Sequence, residues 1–228
     1  MAGDLVAHYQ ATRRRIVDHV TPLTDADALV MVPACPEWTV HDAVAHVTGI
    51  AADLGAGRMP GANTQAWIDG HVADRKHHPL GLLIDEWLAA DVEGFILKSG
   101  SGQLLLDICA HEHDICHALG TPGDRQSDAV NACVPALCEL LRKDLLAKGA
   151  PGSVLLVSGT NSWTAGEGPV QLVLEAEPFE LIRIFGSRRS EKQMRALPWT
   201  TPDGSAADIG PWLAFLAHFP YPAADLVE

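Results

Sequence analysis

The sequence predicts an α+β protein in which a helical domain over residues 1–150 precedes a small α/β domain over residues 151–228. Helix-period apolar residues and helix-breaking glycines and prolines dominate the first two thirds of the chain. From Gly152 onward the pattern changes to short apolar runs bounded by turn residues, which are typical of strands. Helices followed by strands mixed with helices favour two units over one mixed sheet.

The first domain is predicted to consist of amphipathic helices separated by clear breaks. Thr39 and Asp42 form the pattern of a capping box, so one helix should begin there. Gly120 followed by Pro122 marks the end of another. The segment 33–36, with proline at both ends, is interpreted as a rigid connector. The predicted helices span about residues 4–20, 39–56, 62–76, 80–98, 103–120 and 128–148.

The second domain is predicted to contain three strands and three helices. Ser190 is a plausible N-cap for one of these helices. The predicted strands span residues 153–158, 162–164 and 169–175, and the helices residues 178–185, 190–195 and 208–218.

Composition and charge exclude several classes of function. A net charge of −13 argues against a nucleic-acid partner, which would require a basic surface. No apolar run approaches the roughly 20 residues that span a bilayer, and no secretory signal pattern is present. Five cysteines without a CxxC motif favour free thiols in a reducing compartment. We therefore expect a cytoplasmic protein with neither nucleic-acid nor membrane partners; the oligomeric state is left open.

One predicted helix, residues 103–120, carries an unusual density of groups that bind metals. Asp107 and His111 are an i,i+4 pair and lie one above the other on the same helical face. Asp114 falls on that face one turn later, where it could orient a ligand or form a salt bridge. His113 and His117 point elsewhere and are interpreted as surface or supporting residues.

A third ligand is available on the helix that begins at Thr39. His46 lies beside the apolar ridge of that helix, and metal sites in bundles are built from inward side chains on different helices. Two imidazoles and one carboxylate suit Zn²⁺, Ni²⁺ or Fe²⁺ and leave coordination positions open. Spacing alone leaves two alternatives, a structural histidine at His46 and an ion pair between Asp107 and His111.

Three separated segments resemble one family, the DinB-like, mycothiol-dependent maleylpyruvate isomerases. Residues 37–47 resemble the family's Trp-x-Val-x-Asp-x-x-x-His segment, and residues 107–120 its second metal segment. Residues 179–199, followed by 219–226, are similar to its C-terminal part.

The resemblance implies a four-helix bundle with extra helices, followed by an α/β domain. It also implies a divalent metal, commonly zinc, at His46, Asp107 and His111. The family often has Glu where this chain has the shorter Asp107, and glycine where it has Ser187. The family's functional arginine from the C-terminal domain is matched by the pair Arg188 and Arg189.

The resulting hypothesis is a metal-dependent enzyme in which mycothiol, a low-molecular-weight thiol, is the co-substrate for isomerisation or S-transfer on a small electrophile. Arg188 is the candidate catalytic residue, and Arg189 and Asp114 are candidates for binding the co-substrate. Two alternatives stay open: a metal-dependent hydrolase, and a non-catalytic protein that binds a metal or a small molecule.

Overall fold

The computed structural model describes residues 2–228, whose helices and strands form an α+β fold divided into two compact units. The first unit ends at Arg125, and the second runs from Gln126 to Glu228. None of the described helices is both long enough and apolar enough to cross a membrane.

Helix α2 is the centre of the first unit. It packs against four other helices, and α1 packs against α5 and α6. It is buried along most of its length because alanine, valine and isoleucine occupy most of its positions. The helices are α1 (Ala2–Val20), α2 (Val40–Gly55), α3 (Thr64–Arg75), α4 (Leu80–Ala89), α5 (Val92–Ser99) and α6 (Gln103–Ala118).

A short antiparallel hairpin leads into α2, where the sequence predicted only a connector. Its strands are β1 (Met31–Val32) and β2 (Cys35–Thr39). The predicted capping box is present: the Thr39 side chain accepts from the Asp42 amide at 3.2 Å, and the Asp42 carboxylate accepts from the Thr39 amide at 2.9 Å. The box fixes the angle at which β2 enters the helix.

The second unit packs helix α7 (Asp128–Ala147) against a three-stranded sheet and helix α8. The strand order is β4-β3-β5, with β3 antiparallel to β4 and parallel to β5. Its remaining elements are β3 (Ser153–Ser158), β4 (Asn161–Ala165), β5 (Val170–Glu175), α8 (Pro178–Phe185), α9 (Glu191–Ala196) and α10 (Leu213–Leu216).

The structure differs from the sequence predictions at three further places. The two units divide at residue 125 rather than near residue 150, because α7 packs on β4 and α8 of the second unit. The single helix predicted over residues 80–98 is two helices: Ala90 is extended, and Asp91 caps the second one by accepting from the Gly94 amide. The helix predicted over residues 208–218 is a 3₁₀ turn followed by the short α10.

Candidate metal centre

The structure brings His46, Asp107 and His111 together. His46 comes from α2, whereas Asp107 and His111 lie one turn apart on α6. Asp107 Oδ1 is 3.6 Å from His46 Nε2 and 3.7 Å from His111 Nε2. The three donor atoms all lie within 4.8 Å of one another. We call these three residues the first cation site.

The first cation site is buried on its imidazole side and open on its carboxylate side. His46 and His111 are 2% and 5% exposed, whereas the Asp107 side chain is 32% exposed. Burial lowers the pKa of His46, although Asp107 opposes that shift. The His46 imidazole is therefore held neutral, which is the form that binds metals.

Asp114 lies behind His111. Its Oδ2 is 3.2 Å from His111 Nδ1, on the side of the ring away from Asp107. Asp114 is completely buried, and Cys35 Sγ lies 3.8 Å from the same carboxylate oxygen. A carboxylate on the second nitrogen of an imidazole fixes the orientation and the tautomer of the ring.

Two aromatic rings that the sequence did not assign to the site pack against its histidines. The Trp38 ring lies 4.9 Å from the His46 ring and 5.8 Å from the His111 ring, centroid to centroid. The His71 ring lies 5.9 Å from that of His46. Trp38 is half-buried and forms a wall of the site.

His71 is held in place by Asp53. His71 Nε2 lies 3.2 Å from Asp53 Oδ2, which also accepts a hydrogen bond from Trp67 Nε1 at 2.7 Å. Burial opposes ionisation of Asp53, but hydrogen bonds from Arg58, Trp67 and His71 outweigh it and lower the pKa of that carboxyl. Burial lowers the pKa of His71, so its Nε2 carries the proton donated to Asp53.

Gly49 makes room for the His71 ring. A Cβ at residue 49 would lie 2.5 Å from His71 Cβ and Cγ, so only glycine lets α3 approach α2 this closely. No sequence signal connects these residues, because Gly49, Asp53, Trp67 and His71 meet only through helix packing.

The other histidines and cysteines of α6 do not join the first cation site. His113 is buried and faces Gly123, whereas His117 is partly exposed. Cys109 and Cys116 are buried, and burial raises the pKa of the Cys116 thiol to about 11. Buried thiols with a raised pKa are typical of structural rather than reactive cysteines.

The arginine pair lies in the second unit, after the end of α8. Ser187 adopts a φ of 63°, the left-handed region that favours glycine, and this turn leads into Arg188. Arg188 donates to the Gly186 carbonyl at 2.5 Å. Arg189 is 8% exposed and pairs with Glu180 at 2.7 Å and with Glu228 at 3.1 Å.

Residues 9–93 match the family model described as the mycothiol maleylpyruvate isomerase N-terminal domain. This segment of the chain is therefore similar to the N-terminal domain of that family. The match includes His46 and ends before α6, so Asp107 and His111 come from a part of the first unit beyond it.

Two solved structures share the fold of the chain over nearly its whole length. One is a variant of the mycothiol-dependent maleylpyruvate isomerase, with a TM-score of 0.56 and 12% identity over 91% of this chain and 95% of the other. The second is a structure of the mycothiol-dependent maleylpyruvate isomerase, with a TM-score of 0.54, 13% identity and the same coverage. No curated protein sequence matches the chain.

Proposed function

We propose that the chain is a metal-dependent enzyme that uses a low-molecular-weight thiol, such as mycothiol, for isomerisation or S-transfer on a small electrophile. The observation that carries this proposal is the convergence of His46, Asp107 and His111 in a unit similar to the N-terminal domain of the mycothiol maleylpyruvate isomerase family. We place the activity in the cytoplasm, where small thiols are kept reduced.

The residues present suit a divalent metal, and zinc above nickel or iron. Ligand atoms bound tetrahedrally to zinc at about 2.0–2.2 Å lie roughly 3.4 Å apart. The distances of 3.6 and 3.7 Å from Asp107 to the two imidazoles are close to that value. Asp107 therefore reaches both histidines, although its side chain is one methylene shorter than the glutamate common in the family.

The neighbouring residues support such a site. Asp114 lies 3.2 Å from His111 Nδ1, and its negative charge favours a proton on that nitrogen, so that Nε2 presents its lone pair towards Asp107. Trp38 packs against both imidazoles and shields them from water on one side. A divalent metal supplies the positive charge that favours the anionic form of a bound thiol.

The partly exposed side of Asp107 is where we expect the small thiol to enter. Arg188 is proposed to hold the carboxylate or developing enolate of the electrophile, because a guanidinium donates two parallel hydrogen bonds to such groups. Arg189 and Asp114 stay the proposed residues for the co-substrate. Arg189 would have to exchange Glu180 or Glu228 for that ligand.

The proposal is tested by the metal content and by the response to thiol. We expect purified protein to hold about one divalent metal per chain, and His111→Ala to lose it. His77→Ala, a change of an exposed histidine, is the matched control. In the Co²⁺ form, added mycothiol should change the visible spectrum of the wild-type protein.

Three results would separate the alternatives. Metal content that does not change in His111→Ala would contradict the proposed site. A spectrum that mycothiol leaves unchanged would contradict the thiol chemistry and favour the hydrolase. A metal-loaded protein without turnover of any thiol or ester would favour a binding protein.

A further inference from the structure

His111 faces carboxylates with both of its ring nitrogens. Nε2 lies 3.7 Å from Asp107, within the first cation site, and Nδ1 lies 3.2 Å from Asp114. The Asp114 carboxylate is completely buried, in an interior where an anionic oxygen requires compensation by donors or cations. The Nδ1 side of the ring therefore faces a possible metal ligand that does not belong to the first cation site.

A thiol completes this second group. Cys35, on β2, places its Sγ 3.8 Å from Asp114 Oδ2, and the donor atoms of Cys35, His111 and Asp114 all lie within 4.8 Å of one another. Sulfur and oxygen ligands on one tetrahedral zinc, at about 2.3 and 2.1 Å, lie roughly 3.6 Å apart. Cys35 is only half-buried, whereas the other four cysteines are buried, so an ion can reach its thiol.

One imidazole cannot serve both groups while it is neutral. A cation on Nε2 leaves the proton on Nδ1, on the side of Asp114, and a cation on Nδ1 leaves the proton on Nε2, facing Asp107. The two groups are therefore alternative sites that share His111.

We propose that Cys35, His111 and Asp114 form a second cation site, selective for a thiophilic divalent ion, which competes with the first cation site for His111. Its thiolate ligand favours Zn²⁺ or Cd²⁺ over Mg²⁺ or Mn²⁺. The site goes beyond the proposed function, because it requires no added thiol and no electrophile.

The simpler interpretation is that the Cys35 thiol only donates a hydrogen bond to Asp114. The two interpretations differ in one observable. A thiolate bound to Co²⁺ gives a sulfur-to-cobalt charge-transfer absorption in the near ultraviolet, whereas a thiol that only donates a hydrogen bond gives none.

The test uses Co²⁺ as the probe, with the full chain made metal-free and reduced by a phosphine, so that no other thiol is present. His46→Ala weakens the first cation site and leaves all three residues of the second. We expect this variant to bind one Co²⁺ per chain with the charge-transfer absorption. Asp107→Asn serves as a second variant, in case the first folds poorly.

Two cysteine substitutions in the His46→Ala background show which thiol gives the charge-transfer absorption band. Cys35→Ala should abolish it, and Cys138→Ala, the change of a buried thiol in the second unit, should retain it. Folded His46→Ala or Asp107→Asn protein without the band at saturating Co²⁺ would overturn the proposal, as would a band that survives Cys35→Ala. Neither result bears on the thiol-dependent activity of the wild-type enzyme, which is tested separately.

Discussion

Gly49 is the residue at which packing and the candidate site are most directly connected. Gly49→Ala would place a methyl group 2.5 Å from His71 Cβ and Cγ. We expect overpacking to lower the free energy of unfolding by about 1–3 kcal/mol and to displace His71 from His46. Urea unfolding monitored by circular dichroism measures the first effect.

Gly70→Ala is the matched control for that prediction. Gly70 lies within α3, and a Cβ there meets no atom within 4 Å. Replacing a helical glycine in open space by alanine should raise the free energy of unfolding by about 0.5–1 kcal/mol. If Gly49→Ala is as stable as Gly70→Ala, the close approach of α3 to α2 is not as described.

At the residue scale, the sequence predicted the groups that local geometry brings together. Asp107 and His111 share a helical face because they are four residues apart, and Asp114 follows one turn later. Cys35 and His71 could not be found in this way. Their neighbours are set by a hairpin and by a helix crossing, and neither leaves a periodic signal in the chain.

At the scale of single elements, the capping box is the junction between β2 and α2. Thr39→Ala removes the hydroxyl that accepts from the Asp42 amide and leaves the Asp42 carboxylate on the Thr39 amide. The loss of a cap costs about 1 kcal/mol, which should lower the Tm by about 2–4 °C. Calorimetry measures the shift.

Thr39→Ser keeps the hydroxyl and should keep the Tm within about 1 °C of wild type. An equal loss of stability in both variants would mean that the methyl group, rather than the cap, stabilises this junction.

Helix starts and ends that carry a local capping residue were predicted well, whereas boundaries without one were missed. Thr39 and Ser190 mark the starts of α2 and α9, and Gly120 marks the end of α6. The break between α4 and α5 was missed because its apolar period continues across Ala90, and only the cap made by Asp91 separates the helices. The β1–β2 hairpin was missed because prolines at both ends of residues 33–36 favour a connector.

At the scale of the whole molecule, buried thiols and phenols make stability sensitive to alkali. Burial raises the pKa of Cys116 to about 11 and that of Cys138 to about 12, and it also raises the pKa of Tyr9 and Tyr221. Their neutral forms are favoured in the folded state. The stabilisation is therefore complete below the thiol pKa of the unfolded chain, near 9, and is lost as the pH rises above it.

We expect the free energy of unfolding to fall between pH 8 and pH 10, by on the order of 1 kcal/mol for each buried thiol. Urea unfolding at the two pH values measures the difference. Cys138→Ala should show a smaller fall, because one of these groups is removed. A free energy of unfolding that is the same at both pH values would contradict burial of these thiols.

The sequence predicted a division into two units, but it placed the boundary near residue 150 rather than at residue 125. The change from helices to strands at Gly152 is plain in the sequence, and the α+β class follows from it. Helix α7 belongs to the second unit because its apolar face packs on β4 and α8. The sequence shows that a helix has an apolar face, but it does not show which element packs against that face.

The ion pair between Arg183 and Glu228 joins two residues that are synthesised at different times. Arg183 is completely buried, and its guanidinium contacts a carboxylate 45 residues further along the chain. A growing chain therefore has Arg183 well before it has Glu228. The residues of both cation sites are complete by Asp114, and the first unit by Arg125. We therefore expect the first unit to fold while the second is still being translated, and the second to reach its final packing only afterwards.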